Sequence, residues 1–240
     1  MQVPAEIPVI TVDGPSGTGK GTVCSYLSNW LRWHFLDSGA LYRVLALTAE
    51  RHAVDPDDES GIASLAKKLD VKFNNQGVGQ EVTVILERED VSQLIRTESC
   101  ARAASQLAAY PKVRKALLAR QQAFRKMPGL IADGRDMGTV VFTDARLKIF
   151  LTASEEERAR RRHKQLKEKG FDVNLPQLSV EIIERDARDS QRTVSPLKPA
   201  DDAVVIDTTN LNIEEVIQQV SMLVRDRFPQ IPELAGDNIH

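Results

Sequence analysis

The stretch that decides the fold is Gly14-Pro15-Ser16-Gly17-Thr18-Gly19-Lys20-Gly21-Thr22, which follows the apolar run Val9-Ile10-Thr11-Val12. The order predicts a buried strand, a glycine-rich turn and a helix that starts near Lys20. Glycines let the backbone wrap a phosphate so that several N–H groups point at it, and the helix N-terminus adds its partial positive charge. Lys20 is placed to reach the β- and γ-phosphates of a nucleoside triphosphate. We therefore predict that the whole stretch binds the triphosphate, and we call it the P-loop.

Magnesium has two candidate protein ligands in this sequence. The position after Lys20 is Gly21, where a Ser or Thr usually holds the metal, and the hydroxyl arrives one residue later as Thr22. Asp133 ends a later apolar run, and an aspartate at a strand tip beside a phosphate loop suits magnesium-bound water. The alternative for Asp133 is a turn-forming role before Gly134. We expect Mg²⁺ to accompany the triphosphate, with Thr22 and Asp133 as ligands.

Length, charge and cysteine content exclude several classes of protein. The 240 residues fit one large α/β domain with insertions, or two small domains. The net charge of −2 gives no general attraction to nucleic acid or acidic membranes. No apolar run is long enough for a membrane helix, and residues 1–8 lack a signal-peptide pattern. Cys24 and Cys100 have no metal-ligand spacing and are typical of free thiols in a reducing cytosol. We expect a soluble, cytoplasmic monomer.

Short apolar runs bounded by turn or acidic residues recur along the chain, with helical periodicity between most of them. This pattern is typical of a parallel sheet covered by helices on both faces, an α/β fold. Asn212 and Glu215 are spaced to cap the last helix. Ligands bind such sheets at the carboxyl ends of the strands, where the P-loop lies. The runs are Val9–Val12, His34–Asp37, Leu130–Asp133, Leu147–Leu151 and Ala203–Asp207.

Two segments interrupt this alternation. Residues 63–96 are predicted to form a small antiparallel insertion, with a turn-rich stretch at 74–79. Residues 154–170 are predicted to form an arginine-dense helix that ends at a glycine. The tail, residues 229–240, is polar and is predicted to be poorly ordered. The strands expected in the insertion are Val71–Phe73, Val82–Leu86 and Val91–Ile95.

Further candidate side chains follow the second and third apolar runs. In Asp37-Ser38-Gly39-Ala40-Leu41-Tyr42-Arg43, Ser38 is expected to cap a helix and Arg43 to fall in its first turns. Arginine suits phosphate because its planar fork donates two parallel hydrogen bonds. Arg135 and Asp136 project from one glycine-flanked turn, the first suited to a phosphate and the second to a hydrogen-bond donor. Taken alone, Ser105 would be an ordinary helix serine and Arg114, on a helix that Pro111 starts, a surface arginine.

Together these stretches resemble the bacterial cytidylate kinases, a group of nucleoside monophosphate kinases. The resemblance covers about residues 8–227, and its most specific stretch is Ala132-Asp-Gly-Arg-Asp-Met-Gly-Thr139. It implies a P-loop NTPase-type core of five parallel strands, a monophosphate-binding part enlarged by the insertion, and a short lid. The implied division of a single domain spanning 1–240 is core 8–40, 97–153 and 200–228, monophosphate-binding part 41–96, lid about 154–170 and tail 229–240. The other matching stretches are the P-loop with its Gly-Lys-Gly-Thr form, Asp37–Arg43, Ala104-Ser105-Gln106, Pro111–Arg114 and Arg185-Asp186-Ala187-Arg188-Asp189.

The resemblance implies transfer of the γ-phosphate of ATP to CMP or dCMP. Arg114 would donate to N3 and O2 of cytosine, and Asp136 would accept from its amine. Uracil would place a carbonyl against the Asp136 carboxylate and be rejected. The division of sugar and phosphate contacts among Arg185, Arg188 and Arg192 stays open. The other implied contacts are Ser38 beside the substrate, Ser105 with the base, Arg185 and Asp189 with the ribose, and Arg43, Arg135 and Arg192 with the monophosphate.

Phosphoryl transfer needs alignment and charge neutralisation from the protein. Lys20 and Arg135 are the expected catalytic residues, together with Arg161 and Arg162 from Glu157-Arg158-Ala159-Arg160-Arg161-Arg162, which would close over the transferred group and exclude water. The alternative for that helix is a solvated surface with pairs such as Glu157 to Arg161.

Other functions predict different features. A kinase for UMP, dTMP or a non-nucleotide hydroxyl would lack the trio of Ser105, Arg114 and Asp136. A GTP-binding switch would carry an Asn-Lys-x-Asp motif, and the chain has no Asn-Lys pair. A nucleic-acid-binding protein could use the basic residues between Arg158 and Arg192, but the net charge and the missing aromatic platform argue against it.

Overall fold

A computed structural model describes residues 7–74, 82–168, 170, 172–192 and 194–231 of the chain. Parallel strands form a five-stranded sheet in the order β2-β6-β1-β7-β8, and β3-β4-β5 form a separate antiparallel sheet. The strands are β1 (Val9–Asp13), β2 (His34–Asp37), β3 (Val71–Asn74), β4 (Thr83–Leu86), β5 (Glu89–Asp90), β6 (Leu130–Gly134), β7 (Leu147–Thr152) and β8 (Val204–Asp207). The helices are α1 (Lys20–Leu31), α2 (Ser38–Arg51), α3 (Glu59–Lys68), α4 (Glu98–Leu107), α5 (Pro111–Gln122), α6 (Glu155–Glu168), α7 (Leu175–Ser190) and α8 (Ile213–Arg227).

Successive side chains of the central strands enter different cores, because side chains alternate between the two faces of a sheet. In β6, Ile131 packs with the apolar faces of α1 and α8, whereas Leu130 and Ala132 pack with residues 137–145 on the opposite face. Both faces of the central strands are therefore covered, which explains why these strands are continuous apolar runs, whereas Val205 of the edge strand β8 is exposed. The prediction of a parallel α/β sheet is confirmed.

The helices that follow the P-loop strand agree with the sequence signals. α1 begins at Lys20, after Gly19 in a left-handed conformation with φ 91. Pro111 occupies the first turn of α5. At α8, the Asn212 side chain accepts from the Glu215 N–H at 3.0 Å and the Glu215 carboxylate accepts from the Asn212 N–H at 2.8 Å, the predicted capping box. These ends are specified locally, since capping depends on residues within one turn.

A second core joins α2, α3, α4 and α5 to the antiparallel sheet. Buried residues of α4 and α5 pack in one cluster with those of α2 and α3. The boundary that the sequence placed at residue 97 is thus not a packing boundary. Residues 63–68 belong to α3, so the insertion is strand only from residue 71.

The third strand of the insertion was predicted wrongly at Val91–Ile95. The chain turns at Glu87 and Arg88, which have φ values of 50 and 75, and returns as β5 at Glu89–Asp90. Residues 94–96 form a 3₁₀ turn instead. Non-glycine residues rarely take a positive φ, so the sequence carried no visible turn signal here.

Parts of two predictions lie outside the described residues: positions 75–79 of the turn-rich stretch, and 232–240 of the tail. Within the described residues, no helix is long and apolar enough to cross a membrane.

Candidate active site

A cleft of about 1700 Å³ opens at the carboxyl ends of β1, β2 and β6. One end is formed by the P-loop and the first turn of α1, and the other by α2, α4 and the start of α5. The helices α6 and α7 line the cleft between them. Such a crevice beyond the strand ends is where parallel α/β sheets bind ligands, and its volume exceeds the roughly 300–1,000 Å³ of most small-ligand pockets.

The P-loop backbone is shaped by its glycines. Gly14 has φ 142, and a Cβ at this position would lie 2.0 Å from the carbonyl oxygen of Leu151. No other residue fits there without displacing β7. The Lys20 ammonium donates to the Pro15 carbonyl at 2.6 Å and to the Thr18 hydroxyl at 3.5 Å. The Lys20 side chain thus folds back onto the P-loop, where the phosphates are expected to bind.

Lys20 and Asp133 are both buried beside the P-loop, and each affects the ionisation of the other. Burial lowers the pKa of Lys20, and Arg135 adds to this effect while Asp133 opposes it. Burial raises the pKa of Asp133, with Lys20 opposing and Asp37 reinforcing the rise. Anionic phosphates and a divalent cation would favour the charged forms of both groups. This end of the cleft therefore suits a ligand that combines anionic phosphates with a cation.

At the other end of the cleft, Arg114 and Asp136 form a buried ion pair. Nη2 of Arg114 donates to Oδ2 of Asp136, and the two side chains are 10% and 7% exposed. Nη1 of Arg114 donates to the Ala108 carbonyl at 3.2 Å, which holds the guanidinium in place. Burial, partly offset by Arg114, raises the pKa of the neighbouring Tyr42 to about 12. The pair therefore places the N–H donors of the Arg114 guanidinium beside the acceptor oxygens of the Asp136 carboxylate.

Ser105 and Arg188 meet at the same end. Nη1 of Arg188 donates to the Ser105 hydroxyl at 3.3 Å, linking α7 to α4. Ser38 lines the cleft, but its hydroxyl donates to Oε1 of Gln121 at 2.9 Å. The prediction that Ser38 caps α2 is wrong: Oδ1 of Asp37 accepts from the Ala40 N–H at 2.8 Å, and Ser38 is the first helical residue. Asp37 can cap because its backbone is still extended at the end of β2.

Between the two ends lies a cluster of half-buried arginines, Arg43, Arg135, Arg185 and Arg192. Burial, then Arg135 and Arg43, lower the pKa of Arg185 to about 9, and burial also lowers the pKa of Arg43 and Arg192. The Nε atoms of Arg43 and Arg185 have no hydrogen-bond partner among the described residues. Crowded guanidinium groups with free donors indicate an anion site.

Asp189 is the counter-ion of this cluster. It accepts from Nε of Arg135 at 3.1 Å and from Nη2 of Arg192. Burial disfavours its charge, but Arg135 and Arg192 outweigh this and hold the pKa of Asp189 below its ordinary value. Asp189 therefore stays ionised and orients two of the arginines.

Three of the four arginines of α6 make different contacts. Arg158 is buried, donates to the carbonyls of Ala153 and Ser16 at 3.0 and 3.3 Å, and pairs with Asp186 at 2.5 Å. It therefore joins the P-loop to α7. Arg161 pairs with Glu157 at 2.8 Å, as the surface interpretation predicted, and also donates to the hydroxyl and carbonyl of Thr208. Arg162 pairs with Glu98 of α4 across the cleft.

Sequence reasoning missed several residues of the site. No function was predicted for Tyr42, although it lies between Asp37 and Arg43. Glu98 and Asp186 are recognised only because they pair with Arg162 and Arg158 in the structure. Asp13 ends β1 as Asp133 nearly ends β6, so the strand-tip signal was present. Its carboxylate accepts from the N–H groups of Met137 and Gly138, both at 2.8 Å.

Known proteins of similar sequence include several cytidylate kinases. A family model described as cytidylate kinase matches residues 10–226. A cytidylate kinase of Stutzerimonas stutzeri (strain A1501) is 60% identical over 96% of this chain and 98% of its own length. One of Nitrosococcus oceani is 57% identical, covering 97% and 98%, and one of Klebsiella pneumoniae (strain 342) is 59% identical, covering 93% and 98%.

Proposed function

The chain belongs to the cytidylate kinase family, and from that premise we propose which of its side chains carry out the reaction. The enzyme transfers the γ-phosphate of ATP to CMP or dCMP, giving ADP and CDP or dCDP. The observation that carries the proposal is the buried Arg114–Asp136 pair, which lies at the end of the cleft opposite the P-loop. One cleft thus offers a triphosphate site and a base site.

The base end selects cytosine by its pattern of donors and acceptors. Arg114 donates to N3 and O2, and Asp136 accepts from the exocyclic amine. Uracil presents a carbonyl where cytosine has the amine, so Asp136 would face a second acceptor in a buried place. Ser105 supports the base from α4, and Arg188 orients its hydroxyl.

The arginine cluster holds the sugar and phosphate of the acceptor. We assign Arg43, Arg135 and Arg192 to the monophosphate, and Arg185 and Asp189 to the ribose, with Ser38 at the edge of this site. The unpartnered Nε atoms of Arg43 and Arg185 support a ligand between them. Holding the acceptor phosphate by several arginines aligns its oxygen for in-line attack on the γ-phosphate.

The P-loop, Gly14 to Thr22, holds the phosphates of ATP, and Lys20 leaves the Pro15 carbonyl to reach the β- and γ-phosphates. Thr22 and Asp133 would hold Mg²⁺; their hydroxyl and carboxylate oxygens are the ligands this metal prefers. When bound, the metal neutralises charge on the β- and γ-phosphates. The described residues include no group of three or more His, Cys, Asp and Glu that could hold a metal.

We propose Arg162 as the lid arginine that leaves Glu98 to reach the transferred group, since this pair already spans the cleft. Arg161 would have to give up its bonds to Thr208 to do so. Closure of α6 excludes water, which would otherwise hydrolyse ATP. Charge stabilisation by Lys20 and Arg135 needs no such movement.

The protein works, in this proposal, as a cytoplasmic monomer that binds neither nucleic acid nor membranes. Both Cys24 and Cys100 are free thiols, as is usual for proteins in a reducing cytosol. The test is ADP formation from ATP with CMP, dCMP, UMP, dTMP and AMP in turn. CMP and dCMP should give the highest kcat/KM, and faster turnover of UMP or AMP would refute the assigned base site.

A further inference from the structure

The turn that carries Asp136 has an unusual cap. Residues 137–141 form one π-helical turn, and Asp136 stands at its N-cap position with φ −145. An aspartate at that position normally accepts from a backbone N–H two or three residues later. Asp136 makes no such bond. Its carboxylate pairs instead with Arg114.

The N–H groups at the start of this turn are satisfied by a residue far away in sequence. Oδ1 of Asp13 accepts from Met137 and Oδ2 accepts from Gly138, each at 2.8 Å. Asp13 is 5% exposed and is held between β6 and β7 by the sheet. A carboxylate at a helix N-terminus is favoured by the positive ends of the backbone dipoles. Asp13 therefore caps this turn, although Asp136 is the residue at its N-cap position.

We propose that Asp13 is a positioning residue for base selection: by capping the turn in place of Asp136, it keeps the Asp136 carboxylate on Arg114 and facing the base. The inference rests on the proposed base-reading role of Asp136. Asp13 itself has no contact with the nucleotide in this account. It acts through the orientation of Asp136, since the Gly138 N–H that Asp13 occupies is one that Asp136 cannot take.

Asp13→Asn is the variant that tests this, because it keeps the size of the side chain. One oxygen becomes an NH₂ group that faces a backbone N–H, so one of the two bonds is lost. With the NH₂ group on the Oδ2 side, the N–H of Gly138 is released, and it is within the capping range of Asp136. The expected result is a fall of about tenfold in kcat/KM for CMP, with a rise of several-fold in the UMP-to-CMP ratio of kcat/KM. The KM for ATP should stay within about twofold.

Asp58→Asn is the matched control. Asp58 caps α3 by accepting from the Gly61 N–H at 2.9 Å, and it is exposed and outside the cleft. The same chemical change there should leave the UMP-to-CMP ratio unaltered. Asp13→Ser, which keeps one acceptor, replaces Asp13→Asn if the latter does not fold.

A crystal structure of the Asp13 variant separates this inference from the base-reading role. The account predicts the Asp136 carboxylate on the N–H of Gly138 and away from Arg114. Asp136 remaining on Arg114, or an equal loss for CMP and UMP, would overturn the inference. If Asp136→Asn leaves the UMP-to-CMP ratio unchanged, the base-reading role fails instead, and the crystal structure still decides whether Asp13 holds Asp136 in place.

Discussion

Asp136→Asn is the substitution that most directly perturbs base selection. The side chain is 7% exposed and paired with Arg114, which is 10% exposed, so solvent cannot replace what is lost. The amide oxygen can still accept from Arg114, whereas the NH₂ group would face the cytosine amine, donor against donor. One buried polar group left unsatisfied costs about 1–3 kcal/mol. This corresponds to a fall of about one to two orders of magnitude in kcat/KM for CMP.

The same substitution should improve UMP relative to CMP, because the new NH₂ group can donate to the uracil carbonyl. Steady-state kinetics with both substrates gives the ratio directly. The fold should survive with a loss of about 1–2 kcal/mol in the free energy of unfolding, since one acceptor oxygen remains for Arg114. Asp144→Asn is the control: Asp144 pairs with Arg125 at 2.6 Å but is half exposed and lies outside the cleft. An equal loss for CMP and UMP in Asp136→Asn would refute the reasoning.

Three further predictions concern the P-loop and its strand. Lys20→Ala should lower kcat by about 10²–10³-fold in a folded protein, because charge stabilisation of the transferred group is lost; near-normal turnover would show that the ATP site is misplaced. Gly14→Ala should lower the free energy of unfolding by about 3 kcal/mol or more in denaturant titrations, because its Cβ would lie 2.0 Å from the Leu151 carbonyl oxygen; a wild-type midpoint would contradict this. Burial raises the pKa of Asp13 from 3.8 to about 6 in the folded protein. The contribution of Asp13 to the free energy of unfolding is therefore fully present below its pKa in the unfolded chain, and it is lost as the pH rises through its pKa in the folded protein. When the pH is lowered from about 7.5 to 5, the free energy of unfolding of the wild type should rise by roughly 1 kcal/mol relative to that of Asp13→Asn. A difference between the two proteins that does not change with pH would contradict the raised pKa.

Local patterns predicted the strands of the parallel sheet and the start of α1, because each depends on residues that are neighbours in sequence. The P-loop is the clearest case: the spacing from Gly14 to Lys20 fixes strand, turn and helix together. The capping box of α8 is another, since Asn212 and Glu215 satisfy each other within one turn.

The features that escaped prediction depend on backbone angles or distant partners. The turn at Glu87 and Arg88 uses positive φ values at residues that rarely adopt them. Arg158 looked like one of several lid arginines, and only the fold brings Asp186 beside it. Asp13 meets Met137 across 124 positions of sequence, which no periodicity can reveal.

The central claim is that CMP and ATP occupy one cleft, with the base read by Arg114 and Asp136. A crystal structure with CMP and a non-hydrolysable ATP analogue tests this most directly. The account predicts the cytosine amine on the Asp136 carboxylate and the analogue's β- and γ-phosphates on Lys20. Electron density that places the cytosine ring away from both Arg114 and Asp136 would contradict it.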